Sequence, residues 1–181
     1  MTNKQKNEQL LRMATKSENQ IIRALNKQYI IAYDETLAEI RQYHALYNEK
    51  GEFDASEMFK YNRLKALNNS IAEMIKDLYK GNKKIIDDEL AKAYLESYAY
   101  TGFIMETETQ VKLNYTIIPK DQVIEAIQTP LSGLTLNEIL NKNEFLIKNR
   151  IKQELTQSVI QGRTIRDTSK RIQRALDIDF N

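Results

Sequence analysis

The sequence has no cysteine and no tryptophan, and its 181 residues include only one histidine, two prolines and five glycines. Without cysteine the chain can form no disulfide and perform no thiol chemistry, which fits a reducing cytoplasm. One histidine without cysteine does not suffice for the usual zinc sites. The five glycines are scattered singly, so no phosphate-binding glycine loop is present. We therefore expect no catalytic residues, no metal and no cofactor, and we interpret the protein as not an enzyme.

Long apolar runs are absent too. No stretch approaches the roughly 18 consecutive apolar residues of a membrane span. The first residues, "MTNKQKNEQLLRM", are too polar for a secretory signal. The formal net charge is only +2, so the whole chain is not an obvious ligand for polyanions. We expect no membrane partner.

The scarcity of proline and glycine favours long helices. Residues 3–49 contain neither, and their apolar residues recur every three or four positions, which predicts one long helix. The members of this stripe are Ile21, Leu25, Tyr29, Tyr33, Leu37, Ile40, His44 and Tyr47. Such a helix would be about 65–70 Å long, so it must project, bend or pair, and self-association through it is an expectation. His44 is expected to be a packed side chain.

Residues 51–108 predict a helical hairpin. A break at Gly51 is followed by Asp54 and Glu57 at capping-box spacing, and "KGN" at 80–82 is expected to end the next helix at Gly81. The second apolar stripe consists of Met58, Leu64, Leu67, Ile71, Ile75 and Leu78. A third helix is expected over about 84–100.

Residues 109–181 begin with a change of period. Apolar residues alternate over 111–117 and stop at Pro119, which predicts one isolated extended segment, with Glu106 and Glu108 just before it on one side of an extended chain. A short helix is expected over 120–127. Thr135 and Glu138 form a capping box that opens a helix to about Gln161. The three parts, 1–50, 51–108 and 109–181, together predict an all-α, elongated helical bundle with a long N-terminal helix and one short extended segment.

The C-terminal part is strongly basic. The segment from Lys142 to Arg174 contains nine basic and three acidic residues, which give it a local net charge of +6. A helix-turn motif is predicted from Gly162, which should end one helix, and from Thr164 and Asp167, which should cap the next. In that last helix Arg166, Lys170 and Arg174 share one face, while Ile165, Ile172 and Leu176 cluster on another.

Two interpretations of this basic face stay open. It is either a solvated helix surface or an electrostatic footprint for DNA or for an acidic protein surface. The second interpretation names a partner- or DNA-binding set, which consists of Arg163, Arg166, Lys170, Arg171 and Arg174.

Three stretches follow one another between residues 77 and 176: "LAKAYLESYAYTGF" at 90–103, "NYTIIPKDQVIEAI" at 114–127 and the segment 134–176. The most specific residues lie at the end of the last stretch. They are Ile160, Gln161, Gly162, Thr164, Asp167, Ser169, Lys170, Arg171 and Ile172. In this order the stretches resemble the minor head, or head-morphogenesis, proteins of tailed bacteriophages.

The resemblance implies a minor virion protein that binds the portal vertex inside the capsid and assists head assembly, DNA packaging or delivery. Its implied partners are the portal protein, other head proteins and DNA, and its implied locations are the head interior and the host cytoplasm during assembly. Members of the family are expected to continue into a further C-terminal segment, whereas this sequence stops at "DIDFN". The alternative function is a stand-alone helical nucleic-acid-binding regulator, and a third is a helical adaptor that binds no nucleic acid.

Overall fold

The computed structural model describes residues 2–46, 55–59, 62–112, 118–130 and 133–176. Within these ranges the chain forms helices and no strand, which confirms the all-α prediction. The helices are α1 (Asn3–Leu46), α2 (Ala55–Phe59), α3 (Arg63–Thr109), α4 (Lys120–Ile127), α5 (Leu136–Ile160) and α6 (Ile165–Ala175).

The long N-terminal helix is confirmed. Its start is fixed by a capping box, in which the Gln5 N–H donates to Thr2 Oγ1 at 3.3 Å and the Thr2 N–H donates to Gln5 Oε1 at 2.8 Å. The two exchanged bonds satisfy N–H groups that have no partner within the helix. The helix runs to Leu46, and its expected end near residue 49 lies outside the described residues.

The predicted helical hairpin is wrong at Gly81, because α3 passes through this position without a break and spans 47 residues. A glycine inside a helix costs only about 0.5–1 kcal/mol relative to alanine, and packing along the rest of a long helix outweighs such a cost. The expected ends at residues 80 and 100 are therefore both replaced by one end at Thr109.

The assignment of Glu106 and Glu108 to an extended chain is also wrong, since both lie in the last turns of α3. Residues two apart on a helix do not face each other, so these carboxylates do not form a pair. The break at Gly51, the Asp54 cap and most of the extended segment over 111–117 lie outside the described residues.

The second half of the chain follows the sequence closely. The helix expected over 120–127 is α4, and the helix expected from Thr135 to about Gln161 is α5. The capping box of α5 is formed as predicted: the Thr135 N–H donates to Glu138 Oε2 at 2.7 Å, and the Glu138 N–H donates to Thr135 Oγ1 at 3.2 Å.

The structure divides into two compact units, each built from two stretches of the chain. The first unit holds residues 1–25 and 82–138, and the second holds residues 26–81 and 139–181. Both long helices contribute residues to each unit. This division cuts across the three parts expected from the sequence.

The second unit contains the hydrophobic core. Buried side chains of α1, α2, α3, α5 and α6 meet there, and all six residues of the second apolar stripe are among them. Tyr29 and Tyr79 pack edge to face with ring centroids 6.5 Å apart, and the Tyr29 hydroxyl donates to the Tyr79 hydroxyl at 3.2 Å. Burial and this hydrogen bond raise the pKa of Tyr79. His44 is buried, as the stripe predicts.

The first unit is held together by polar contacts as well as by burial. The start of α1 meets the end of α3, where Lys6 pairs with Glu108. Asp87 of α3 accepts from Lys83 at 2.5 Å and from the Gln128 side chain, just after α4, at 3.2 Å. Asp87 is therefore a structural hydrogen-bond acceptor that links α3 to the end of α4.

Candidate interaction surface

The turn between α5 and α6 has the geometry that the sequence predicts. Gly162 has a φ of 58°, in the left-handed region that favours glycine. Its N–H donates to the Val159 carbonyl at 3.2 Å, and the Arg163 N–H donates to the Ser158 carbonyl at 2.9 Å. This pair of bonds is a Schellman motif, which satisfies carbonyls at the end of α5 and fixes the direction of the chain.

Thr164 begins the last helix as its N-cap. Its hydroxyl oxygen accepts from the Asp167 N–H at 3.3 Å, and the hydroxyl donates to the Asp167 carboxylate at 3.1 Å. A carboxylate in the first turn also interacts favourably with the positive end of the helix dipole. The predicted roles of Gly162, Thr164 and Asp167 are therefore confirmed as a local structure that orients α6.

One face of α6 is anchored in the core of the second unit. Ile172 and Leu176 are buried as expected, and Thr168 and Ala175 are buried beside them. Ile165 is only partly buried, so the apolar face is shifted from the one predicted. The partners across the core include Ile151, Leu155 and Val159 of α5.

The opposite face of α6 carries Arg166, Lys170 and Arg174, which are all exposed. The steps of four residues place these side chains along one side of the helix. None of the three forms an ion pair with any described residue. We call these three residues the α6 basic face. Three cations with a fixed spacing on an anchored helix can bind an anionic surface.

Arg163 and Arg171 make a contact within the chain that the sequence did not predict. Both approach the same carboxylate of α5: Arg171 Nη1 lies 3.1 Å from Glu154 Oε2, and Arg163 Nη1 lies 3.8 Å from it. The Arg163 side chain is only 16% exposed. These two arginines tie α6 and its preceding turn to α5, so they do not belong to the α6 basic face.

The sequence interpretation left out Arg150, which is exposed on α5. Arg150, Arg171 and Arg174 line a recess of about 300 Å³ between α5 and α6. Arg174 therefore belongs both to the α6 basic face and to this recess. The sequence signal for Arg150 was its place in the basic run before Glu154, but only the packing of the two helices brings it beside Arg174.

The described residues contain no group of three or more histidine, aspartate, glutamate or cysteine side chains placed to hold a metal ion. In the same part of the chain, no helix is long and apolar enough to cross a membrane.

The sequence is similar to that of a phage protein. Over 156 residues, which are 86% of this chain, it is 24% identical to the minor head protein GP7 of Bacillus phage SPP1. The aligned residues are 51% of that protein, so the chain spans about half the length of the curated relative it matches. No family model matches the sequence, and no solved structure matches the fold.

This distant similarity supports a phage head-associated role for the chain.

Proposed function

We propose that this protein is a minor head protein of a tailed bacteriophage, which binds the portal vertex inside the capsid and assists head assembly, DNA packaging or delivery. The similarity over 86% of the chain carries the proposal. In this function the protein acts by binding, and the proposal assigns it no catalytic reaction.

The α6 basic face is the proposed contact with an acidic partner surface. It is exposed, it pairs with no carboxylate in the described part of the chain, and its helix is held by a buried opposite face. Because Glu154 already neutralises part of the charge of Arg163 and Arg171, these two arginines contribute less to such a contact. Charge complementarity of this kind sets the association rate and the specificity of a complex.

The test is binding to the portal protein encoded by the same genome. The variant replaces Arg166, Lys170 and Arg174 with glutamate, and its control replaces the exposed lysines Lys80, Lys84 and Lys142 with glutamate. Both variants change the net charge equally. We expect the first to lose portal binding and the second to keep most of it, measured by surface plasmon resonance at low ionic strength.

Full portal binding by the α6 variant would contradict the role of the basic face. No binding by the wild-type chain would contradict the portal proposal itself. Circular dichroism of each variant establishes that the helices are intact, as expected for substitutions at exposed positions.

The alternative function, a stand-alone nucleic-acid-binding regulator, rests on the same three cations. The salt dependence of DNA binding distinguishes it from portal binding. If the partner is DNA, affinity falls steeply with salt, and each lost phosphate contact makes the log–log slope shallower by about 0.9. The log–log slope of affinity against salt would then be shallower for the α6 variant than for wild type by about 2 to 3. Negligible DNA affinity in both forms would exclude this alternative.

A further inference from the structure

A second surface of the molecule shares no lining residue with the α6 basic face. Within the second unit, α2 and the start of α3 form one side of a groove, and α5 forms the other. We call it the α3–α5 groove. Its volume of about 600 Å³ falls in the range of sites that hold ligands.

Two phenylalanines line the α3–α5 groove and remain largely in solvent. Phe59 is 54% exposed and Phe145 is 65% exposed. A partner that entered the groove would therefore bury two large aromatic rings at one place. A partner that covered them would gain roughly 25 cal/mol for each Å² of apolar surface removed from water.

The charge of the groove has one sign. Lys65, Lys148 and Lys152 line it, and no aspartate or glutamate among the described residues does so. Lys148 is paired with Glu144, at 2.5 Å, on the same helix. Lys65 and Lys152 are exposed and form no ion pair with the described residues. An occupant with carboxylates beside its apolar groups would therefore match the groove in charge.

The uncharged polar residues that line the groove are mostly asparagines, among them Asn68, Asn69 and Asn149. A side-chain amide can donate to a backbone carbonyl and accept from a backbone N–H. The groove therefore offers hydrogen bonds suited to a protein segment beside its apolar and cationic groups.

We infer that the α3–α5 groove binds a segment of a partner protein that carries two large apolar side chains flanked by carboxylates. The segment places its apolar side chains against Phe59 and Phe145 and its carboxylates near Lys65 and Lys152. An amphipathic helix in an apolar groove is a common way to build such a contact. The inference goes beyond the proposed function and does not depend on the α6 basic face.

The experiment uses random 12-residue peptides in a display selection against the full chain. The Phe145→Asp variant serves for counter-selection, since Phe145 is mostly exposed and its replacement leaves the core intact. We expect the enriched peptides to contain two large apolar residues on one helical face together with aspartate or glutamate. A selection without enrichment over the counter-selected variant, or one that enriches basic or uncharged peptides, overturns the inference.

The tightest peptide is then titrated by fluorescence anisotropy against matched variants. Phe145→Asp should weaken it about tenfold or more, whereas Phe103→Asp, at a ring that is 62% exposed on α3 outside the groove, should leave it unchanged. The double variant Lys65→Glu, Lys152→Glu should also weaken it, and Lys142→Glu should not. Equal effects of Phe145→Asp and Phe103→Asp overturn the inference.

Two other occupants give distinct results, and each overturns the inference. If a second copy fills the groove, analytical ultracentrifugation will show a wild-type dimer that Phe145→Asp converts to a monomer. If single-stranded nucleic acid fills it, a thymidine oligonucleotide will bind wild type and lose affinity in Phe145→Asp, while no peptide is enriched.

Discussion

Two glycines show how one residue type has opposite effects in two backbone conformations. Gly162 has a positive φ, at which a residue with a β-carbon would be strained. Gly81 instead lies inside α3 with ordinary helical geometry. A β-carbon added at Gly81 would meet Gln28 Oε1 at 3.7 Å, an ordinary van der Waals distance. The same substitution should therefore change stability in opposite directions at the two sites.

Gly81→Ala should raise the free energy of unfolding by about 0.5–1 kcal/mol, because alanine restricts the unfolded chain and suits a helix interior. Gly162→Ala should lower it by about 1–2 kcal/mol, because an L-residue is strained in the left-handed region. Urea denaturation followed by circular dichroism gives both values. Shifts of the two midpoints in the same direction would contradict this assignment.

Among the ionisable residues, Glu138 makes the stability of the α5 cap depend on pH. The Thr135 N–H and the Thr135 hydroxyl donate to its carboxylate and hold the pKa of Glu138 below its ordinary value. A lowered pKa in the folded state stabilises the fold above the ordinary glutamate value of about 4.3, and this contribution is lost as the pH falls through the folded pKa.

Glu138→Gln removes the titrating group and keeps an amide oxygen that can accept hydrogen bonds. We expect wild type to be more stable than Glu138→Gln at pH 7, with the difference shrinking as the pH falls below about 4. Thermal unfolding of both proteins from pH 7 to pH 3 measures this. A difference that stays constant over that range would mean that the charge of Glu138 does not stabilise the α5 cap.

Among the elements, helices bounded by local signals could be predicted from the sequence. The Thr135–Glu138 box and the Gly162–Thr164 turn act through bonds between residues at most five apart, so their spacing is visible in the sequence. The end of α3 could not be predicted in this way. Gly81 is a local signal for a helix end, but the packing of a 47-residue helix overrides it.

The α6 helix shows the same limit for the candidate site. Its amphipathic pattern predicted the exposed positions of Arg166, Lys170 and Arg174, because a helix places residues four apart on one side. The pattern did not predict that Arg163 and Arg171 pair with Glu154. That pairing depends on how α6 packs on α5. The periodic pattern of residues along one helix does not specify how two helices cross.

At the scale of the whole molecule, the fold combines an anchored basic helix with a separate apolar groove. The basic face and the α3–α5 groove differ in chemistry, since one offers exposed cations and the other offers aromatic rings beside lysines. The two surfaces can therefore be inactivated separately. The portal and peptide experiments therefore test the two surfaces independently.

The proposal that the chain is a component of a phage head is tested by quantitative mass spectrometry of purified virions and procapsids of the phage that encodes it. We expect the protein in a constant number of copies per head, protected from added protease until the head is opened. Its absence from both virions and procapsids, with normal amounts of portal and coat protein in the same particles, would contradict a role in the head.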